Sequence, residues 1–211
     1  MKIVKPKITN ITKKDIKSCF ATQEFFEAEL ENETPTNLTI SDINIDSCSF
    51  KNVDFSNISL ASVDILDSIF EDCDLSNQNF NKQFIDRVIF KNCKLVGTTF
   101  IDSNIRNVQF IDCNCRYINF GGADINNLHI VNSTFQNSSF NEAKTKEVLL
   151  EETSFEGSEF AGATLKNVDF TTCNINGAIF DQKSLKNIIV NNFQAASIAT
   201  MFGVIDRKSV V

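Results

Sequence analysis

The stretch VIFKNCKLVGTTFIDSNIRNVQFIDC, residues 88–113, decides the fold. Phe90, Leu95, Phe100, Ile105 and Phe110 recur in it at every fifth position, and two residues before each stands Val88, Cys93, Thr98, Ser103 or Val108. A helix repeats at 3.6 residues and a strand at 2, so neither gives a period of five. Four extended residues and a corner, repeated, do. Of the 35 positions at multiples of five from 20 to 190, 16 are Phe, eight Ile, seven Leu and one Val; the exceptions are Pro35, Cys115 and Thr145. The column two residues earlier is also restricted, with Val53, Ile58, Val63, Ser68, Cys73 and Cys113 among its members. The remaining three positions are mostly polar and are expected to face water.

The corners select the same register. The residue two after each central one would be the third of a type II turn, where φ is positive and Gly or Asn is favoured. Thirteen of those 35 positions are Asn, from Asn32 to Asn192, and five more are Gly97, Gly122, Gly157, Gly162 and Gly177. Core and corner are separate signals, and they agree.

Cys73-Asp74-Leu75-Ser76-Asn77 and Ala163-Thr164-Leu165-Lys166-Asn167 are steps of this kind, and they resemble the pentapeptide-repeat family. The resemblance implies an all-β fold, a right-handed quadrilateral parallel β-helix with four steps per coil, over residues 18–192. Residues 20 apart would then stack. Phe80, Phe100, Phe120, Phe140, Phe160 and Phe180 form one column, Phe50, Phe70, Phe90 and Phe110 begin another, and each column is nearly uniform in kind. The frame predicts eight to nine coils. Residues 1–17, with six Lys against Asp15, fall outside the pattern and form a first strand or an arm; residues 193–211 form a C-terminal helix and tail.

With a net charge of −7 and a pI near 4.8, the chain is a poor candidate for direct nucleic-acid contact, which needs clustered Lys and Arg. No apolar run reaches the roughly 18 residues of a membrane-spanning helix, and no h-region follows the basic start, so a cytoplasmic protein with reduced thiols is expected. Cys73, Cys93, Cys113 and Cys173 share one inward column and read as small core residues, not as a redox or metal ladder. The sole histidine, His129, reads as a surface bystander. No catalytic motif, metal set or cofactor fingerprint is present, and the expectation is a binding protein, not an enzyme.

The frame also assigns charge to sides. The side of Phe50, Phe70 and Phe90 carries Glu29, Glu31, Glu71, Asp72, Asp112, Glu151, Glu152 and Asp169 against Lys51 and Lys91. Its neighbour carries Asp42, Asp102, Glu142, Glu159 and Asp181 against Lys82, while the side of Ile65 turns basic late with Lys144, Lys146, Lys166 and Lys186. Two adjoining sides are therefore acidic. Beyond Asn192, Ile198, Met201, Phe202 and Ile205 fall at i, i+3, i+4 and i+7, a helical spacing, with Gly203 suited to the helix end.

Asn192-Phe193-Gln194-Ala195, followed by an apolar helix, Gly203 and Val204-Ile205, is similar to the C-terminal segment of Qnr-type quinolone-resistance proteins. That resemblance implies a homodimer joined through the tail by Phe193, Ile198, Met201, Phe202 and Ile205. It implies binding to DNA gyrase and topoisomerase IV by mimicry of duplex DNA, and relief of fluoroquinolone poisoning. Glu71, Asp72, Asp112, Glu151, Glu152 and Asp169 would be the docking acids. Several Qnr proteins carry loops that interrupt the repeat; here the frame never slips, and only Glu31 to Asn37, around Pro35, could hide an insertion. An interaction scaffold with a different partner is the alternative.

Overall fold

A computed structural model describes residues 3–205; Met1, Lys2 and residues 206–211 of the arm and tail named above lie outside the described residues. The first elements in chain order are β1 (Thr12–Lys13), α1 (Ile16–Thr22), β2 (Phe25–Phe26), β3 (Ala28–Glu33), β4 (Thr39–Ser41), β5 (Asn44–Asp46) and β6 (Ser49–Val53). They are followed by β7 (Ser59–Ala61), β8 (Asp64–Glu71), β9 (Phe84–Lys91), β10 (Asn104–Ile111), β11 (Asp124–Val131), β12 (Lys144–Glu151) and α2 (Asn192–Met201). All strand pairing is parallel and, apart from β1, its register is 20: Phe50 lies beside Phe70, Phe70 beside Phe90, Phe90 beside Phe110. The result is a right-handed parallel solenoid of about seven turns with a short C-terminal helix.

Seven turns replace the predicted eight to nine, because the periodic frame fails at both ends. Phe20 keeps the period but sits in α1, 39 % exposed, not in the core. The Asp15 side chain accepts from Ser18 N and starts that helix, which seals the first coil with buried Ile16 and Cys19. At the other end, residues 182–187 are turns in place of a coil step.

Between these ends the inward columns are filled as the period requires. Phe rings stack along the axis with centroids 4.7 Å apart for Phe50–Phe70, 5.1 Å for Phe100–Phe120 and 4.9 Å for Phe160–Phe180. Adjacent sides meet edge-on, as Phe110 does Phe135 at 87°. Such pairs contribute roughly 0.5–1.5 kcal/mol each beyond the area they bury. Pro35 is buried in register, with Glu33 opposite Val53 and Thr39 opposite Ser59, so no insertion lies around it.

The small inward column has a second duty. Cys73, Cys93 and Cys113 Sγ donate to the carbonyls of Phe50, Phe70 and Phe90, and Thr98 and Ser158 hydroxyls to those of Leu75 and Phe135. Each reaches the central residue of the preceding coil. A Cys, Ser or Thr there is thus a compact hydrogen-bond donor in the core. All seven cysteines are buried free thiols, and burial pushes the Cys48 thiol up to about 11, away from the reactive thiolate.

At the corners, 16 of the 18 predicted Asn and Gly positions have positive φ. Asn57 does not, and Asn192 is instead the first residue of α2. Lys82, Arg87, Tyr117 and Glu147 also adopt this conformation, at roughly 1–2 kcal/mol each for a side chain with a Cβ. Gly122 (φ +68°) shows the limit, because a Cβ there would sit 2.3 Å from Asp102 Oδ1. Gly122→Ala is expected to lower stability by about 1–2 kcal/mol, read as a shift of the urea midpoint.

Candidate binding surface

The predicted acidic side exists as a row along the axis, and its corners alternate. Asp72, Asn92, Asp112, Asn132 and Glu152 stack one per coil, each with positive φ. Asn92 Nδ2 donates to Asp72 Oδ1 and Asn132 Nδ2 to Asp112 Oδ1, both at 2.6 Å. Each Asn therefore serves twice, tolerating the turn and holding the carboxylate below it. With coils about 4.8 Å apart, the corner carboxylates recur roughly every 9.6 Å.

The flanking acids differ in how far they are neutralised. Glu71 Oε1 takes a hydrogen bond from Lys91 Nζ at 2.6 Å, which raises the lysine's pKa. Glu31 pairs with Lys13, carried there by β1, at 3.2 Å. Glu151 Oε1 lies 3.1 Å from His129 Nε2, so the histidine stands on the acidic side itself. Glu152 N donates to Thr172 Oγ1, and Asp169 Oδ1 accepts from Thr171 N. On the next side Lys94 holds Asp74 at 2.8 Å; burial raises the Asp74 pKa, but Lys94 and Ser76 outweigh it and the carboxyl titrates low. The Lys and Arg ion pairs thus fall on the first half of the rod, and Asp112, Glu152 and Asp169 make no ion pair among the described residues.

The tail residues are placed as follows. Phe193 is 87 % and Ile205 79 % exposed, and Met201 and Phe202 are also exposed, whereas Ile198 packs partly buried against the last coil. Ile205 lies beyond α2, which ends at Met201, and Gly203 has φ +79°. Asn191 and Gln194 form a capping box. Gln194 does more than cap: its Nε2 donates to Phe170 O and Cys173 O, both at 2.8 Å, while its Oε1 accepts from Asn191 N. This one side chain rivets the helix to the rod.

Sequence reasoning missed that role, and missed Gln78, whose amide does the same inside the core for Phe55 O, Ile58 O and Leu60 N. The available signal was size, since Gln78 is the long side chain in a column of small ones. Among the described residues no group of His, Cys, Asp and Glu is placed to hold a metal ion, and no helix is long and apolar enough to cross a membrane.

Residues 63–135 match the family model for a pentapeptide repeat region, and residues 40–77 and 146–182 match that for pentapeptide repeats. Together these spans cover more than half of the chain. No curated protein matches. Among solved structures, QnrB1, a plasmid-mediated fluoroquinolone resistance protein, is 17 % identical over 91 % of this chain and 95 % of its own, with a TM-score of 0.46. HetL, a pentapeptide repeat protein involved in heterocyst differentiation regulation from the cyanobacterium Nostoc, is 16 % identical over 84 % of this chain and 96 % of its own, at 0.33. A pentapeptide repeat protein from the Arabidopsis thaliana thylakoid lumen is 14 % identical over 60 % of this chain and 71 % of its own, at 0.32. These likenesses concern fold alone.

Proposed function

Because the chain belongs to the pentapeptide-repeat family, whose solid rods offer surface in place of an active-site cleft, we propose that it is a homodimeric DNA mimic that binds type II topoisomerases. The observation that carries this reading is the lengthwise acidic row, Asp72, Asp112 and Glu152 at stacked corners with Glu71, Glu151 and Asp169 beside them. These carboxylates stand in for phosphates on the basic DNA-binding surface of DNA gyrase or topoisomerase IV, and complementary charge steers the docking. Occupying that surface inhibits the enzyme and protects it from fluoroquinolones.

The tail supports the dimer. Phe193, Met201, Phe202 and Ile205 present apolar surface at one end of the rod, where a second copy would cover it. Two rods of about seven turns joined there span roughly 70 Å at ~4.8 Å per coil. Phe193→Asp with Phe202→Asp should give a monomer in sedimentation at micromolar concentration, and a wild-type monomer under those conditions would remove the tail from this reading.

A second reading, a scaffold for some other partner, is favoured by the spacing of the row. Corner charges roughly 9.6 Å apart are sparser than the one per 3.4 Å of a DNA strand. Supercoiling by purified gyrase, with and without a quinolone, separates the two. Excess protein is expected to inhibit, at least tenfold less potently at 300 mM than at 50 mM salt. Inactivity at stoichiometric excess would leave the scaffold; inhibition indifferent to salt would sink the electrostatic part.

A further inference from the structure

Residues 3–10 do not join the coils but run along the outside of the solenoid, against its direction of growth. Val4 N donates to Asn107 Oδ1 at 3.3 Å, Lys7 N to Asp67 Oδ1 at 2.8 Å, and Thr12 N to Glu27 O at 3.0 Å. Three extended residues advance about 10 Å, and the two coils between Asn107 and Asp67 span about 9.6 Å. An extended chain laid on this corner is therefore in step with it, Val4 and Lys7, three residues apart, each meeting a side-chain acceptor two coils from the other.

The corner is built to hold such a chain. Arg87 Nε and Nη2 bind both Asp67 oxygens at 2.6 Å, and its Nη1 reaches Asp86. Asn107 Nδ2 donates to Asp86 Oδ1 at 2.9 Å, and Asn127 Nδ2 to Asn107 Oδ1 at 3.1 Å. Asp67 and Asn107 Oδ1 are thereby fixed as acceptors, and the Arg87 guanidinium beside Asp67 lowers its pKa, keeping it charged. Ile3, Pro6 and Ile8 are half-buried and Lys5 and Lys7 exposed. Beneath them, positions that a solenoid usually leaves to water are covered: Asp67 and Asp86 are each 8 % exposed. Farther along the same columns, Lys146 and Glu147 are exposed.

We infer that this corner is a docking groove for an extended, basic segment of a partner protein, and that the N-terminal arm is its tethered competitor. Hydrogen bonds from backbone N–H groups accept many sequences, as in strand-addition recognition, so the groove suits a foreign chain as well as its own. The arm itself shows the required chemistry, with aliphatic residues inward and lysines outward over Asp67 and Asp86. Tethering gives the arm an effective concentration on the order of millimolar. A partner segment displaces it by making contacts the arm lacks. This goes beyond the topoisomerase reading and holds for a partner of any identity.

The probe is a fluorescent peptide of residues 1–10, titrated against the full chain by anisotropy. Wild type is compared with Ile3→Asp/Ile8→Asp, which loosens the tethered arm. The loosened chain is expected to bind the peptide at least tenfold more tightly than wild type, and to lose that binding on adding Asp67→Asn and Asn107→Ala. Equal binding to wild type and loosened chains, or binding indifferent to Asp67 and Asn107, overturns the proposal. Wild type alone supplies a second measurement, independent of how the variants fold. The Val4 and Lys7 amides should exchange at least tenfold more slowly than in the free peptide, and free-peptide rates would equally overturn it. Gyrase appears in neither measurement, so failure here leaves the topoisomerase reading standing, and the reverse.

Discussion

Phe120→Ala is expected to lower stability by about 3–5 kcal/mol, the range for removing a fully buried aromatic ring. Phe120 stacks between Phe100 at 5.1 Å and Phe140 at 5.0 Å, and also meets Phe110 and Phe135, so its loss opens a void touching four other rings. The coils above and below cannot close over that void, because their spacing is fixed by hydrogen bonds such as Phe100 N to Asn119 O and Phe120 N to Ser139 O, both at 2.7 Å. A solenoid couples only neighbouring coils, so a weak central coil should also split or broaden the urea transition. Phe26→Ala, at a half-exposed ring on the first turns, is the control and should cost under about 1 kcal/mol as a surface change. Equal losses for the two would mean that the stacked column is not the source of stability.

Gln194→Leu should free the C-terminal helix while leaving the rod folded. Leucine keeps the bulk but removes three hydrogen bonds, two to the Phe170 and Cys173 carbonyls and one from Asn191 N. At roughly 0.5–1.5 kcal/mol net for each, the loss is about 2–4 kcal/mol. Because about 1.4 kcal/mol is a tenfold change, amide exchange across residues 195–201 should quicken some 30- to 1000-fold. Exchange in β9 and β10 should not change. If the tail joins two copies, the dimer should weaken in parallel in sedimentation. Unchanged helix exchange would show that Ile198 packing holds the helix without Gln194.

The coil register was legible because two columns repeat it independently. Phe100, Phe120 and Phe140 give the inward one, and Gly97, Gly122 and Asn137 the corners. Phe20 misled because periodicity reports a hydrophobic spacing and not whether a coil lies on both sides; the capping residue Asp15 was the better signal there. Pair contacts across coils were also within reach, since Lys91–Glu71 and Asn132–Asp112 follow directly from a step of 20. The acidic side was therefore visible, but its partial neutralisation was not drawn from the same arithmetic. What the pattern could not contain is the arm, because the pairing of Lys7 with Asp67 obeys no period. Gln78 is legible only as an exception, a long amide where the repeat wants something short, while Gln194 lies beyond the repeat in α2 and its task emerges only from the carbonyls it reaches.

The direction of the arm imposes an order on synthesis. Val4 leaves the ribosome well before its acceptor Asn107, which is made 103 residues later, a wait of about 5–20 s at ordinary translation speed. Until Asp67 and then Asn107 are made, the first coils must form with that part of their flank bare. The arm's final contact thus records that the fifth coil has been laid down.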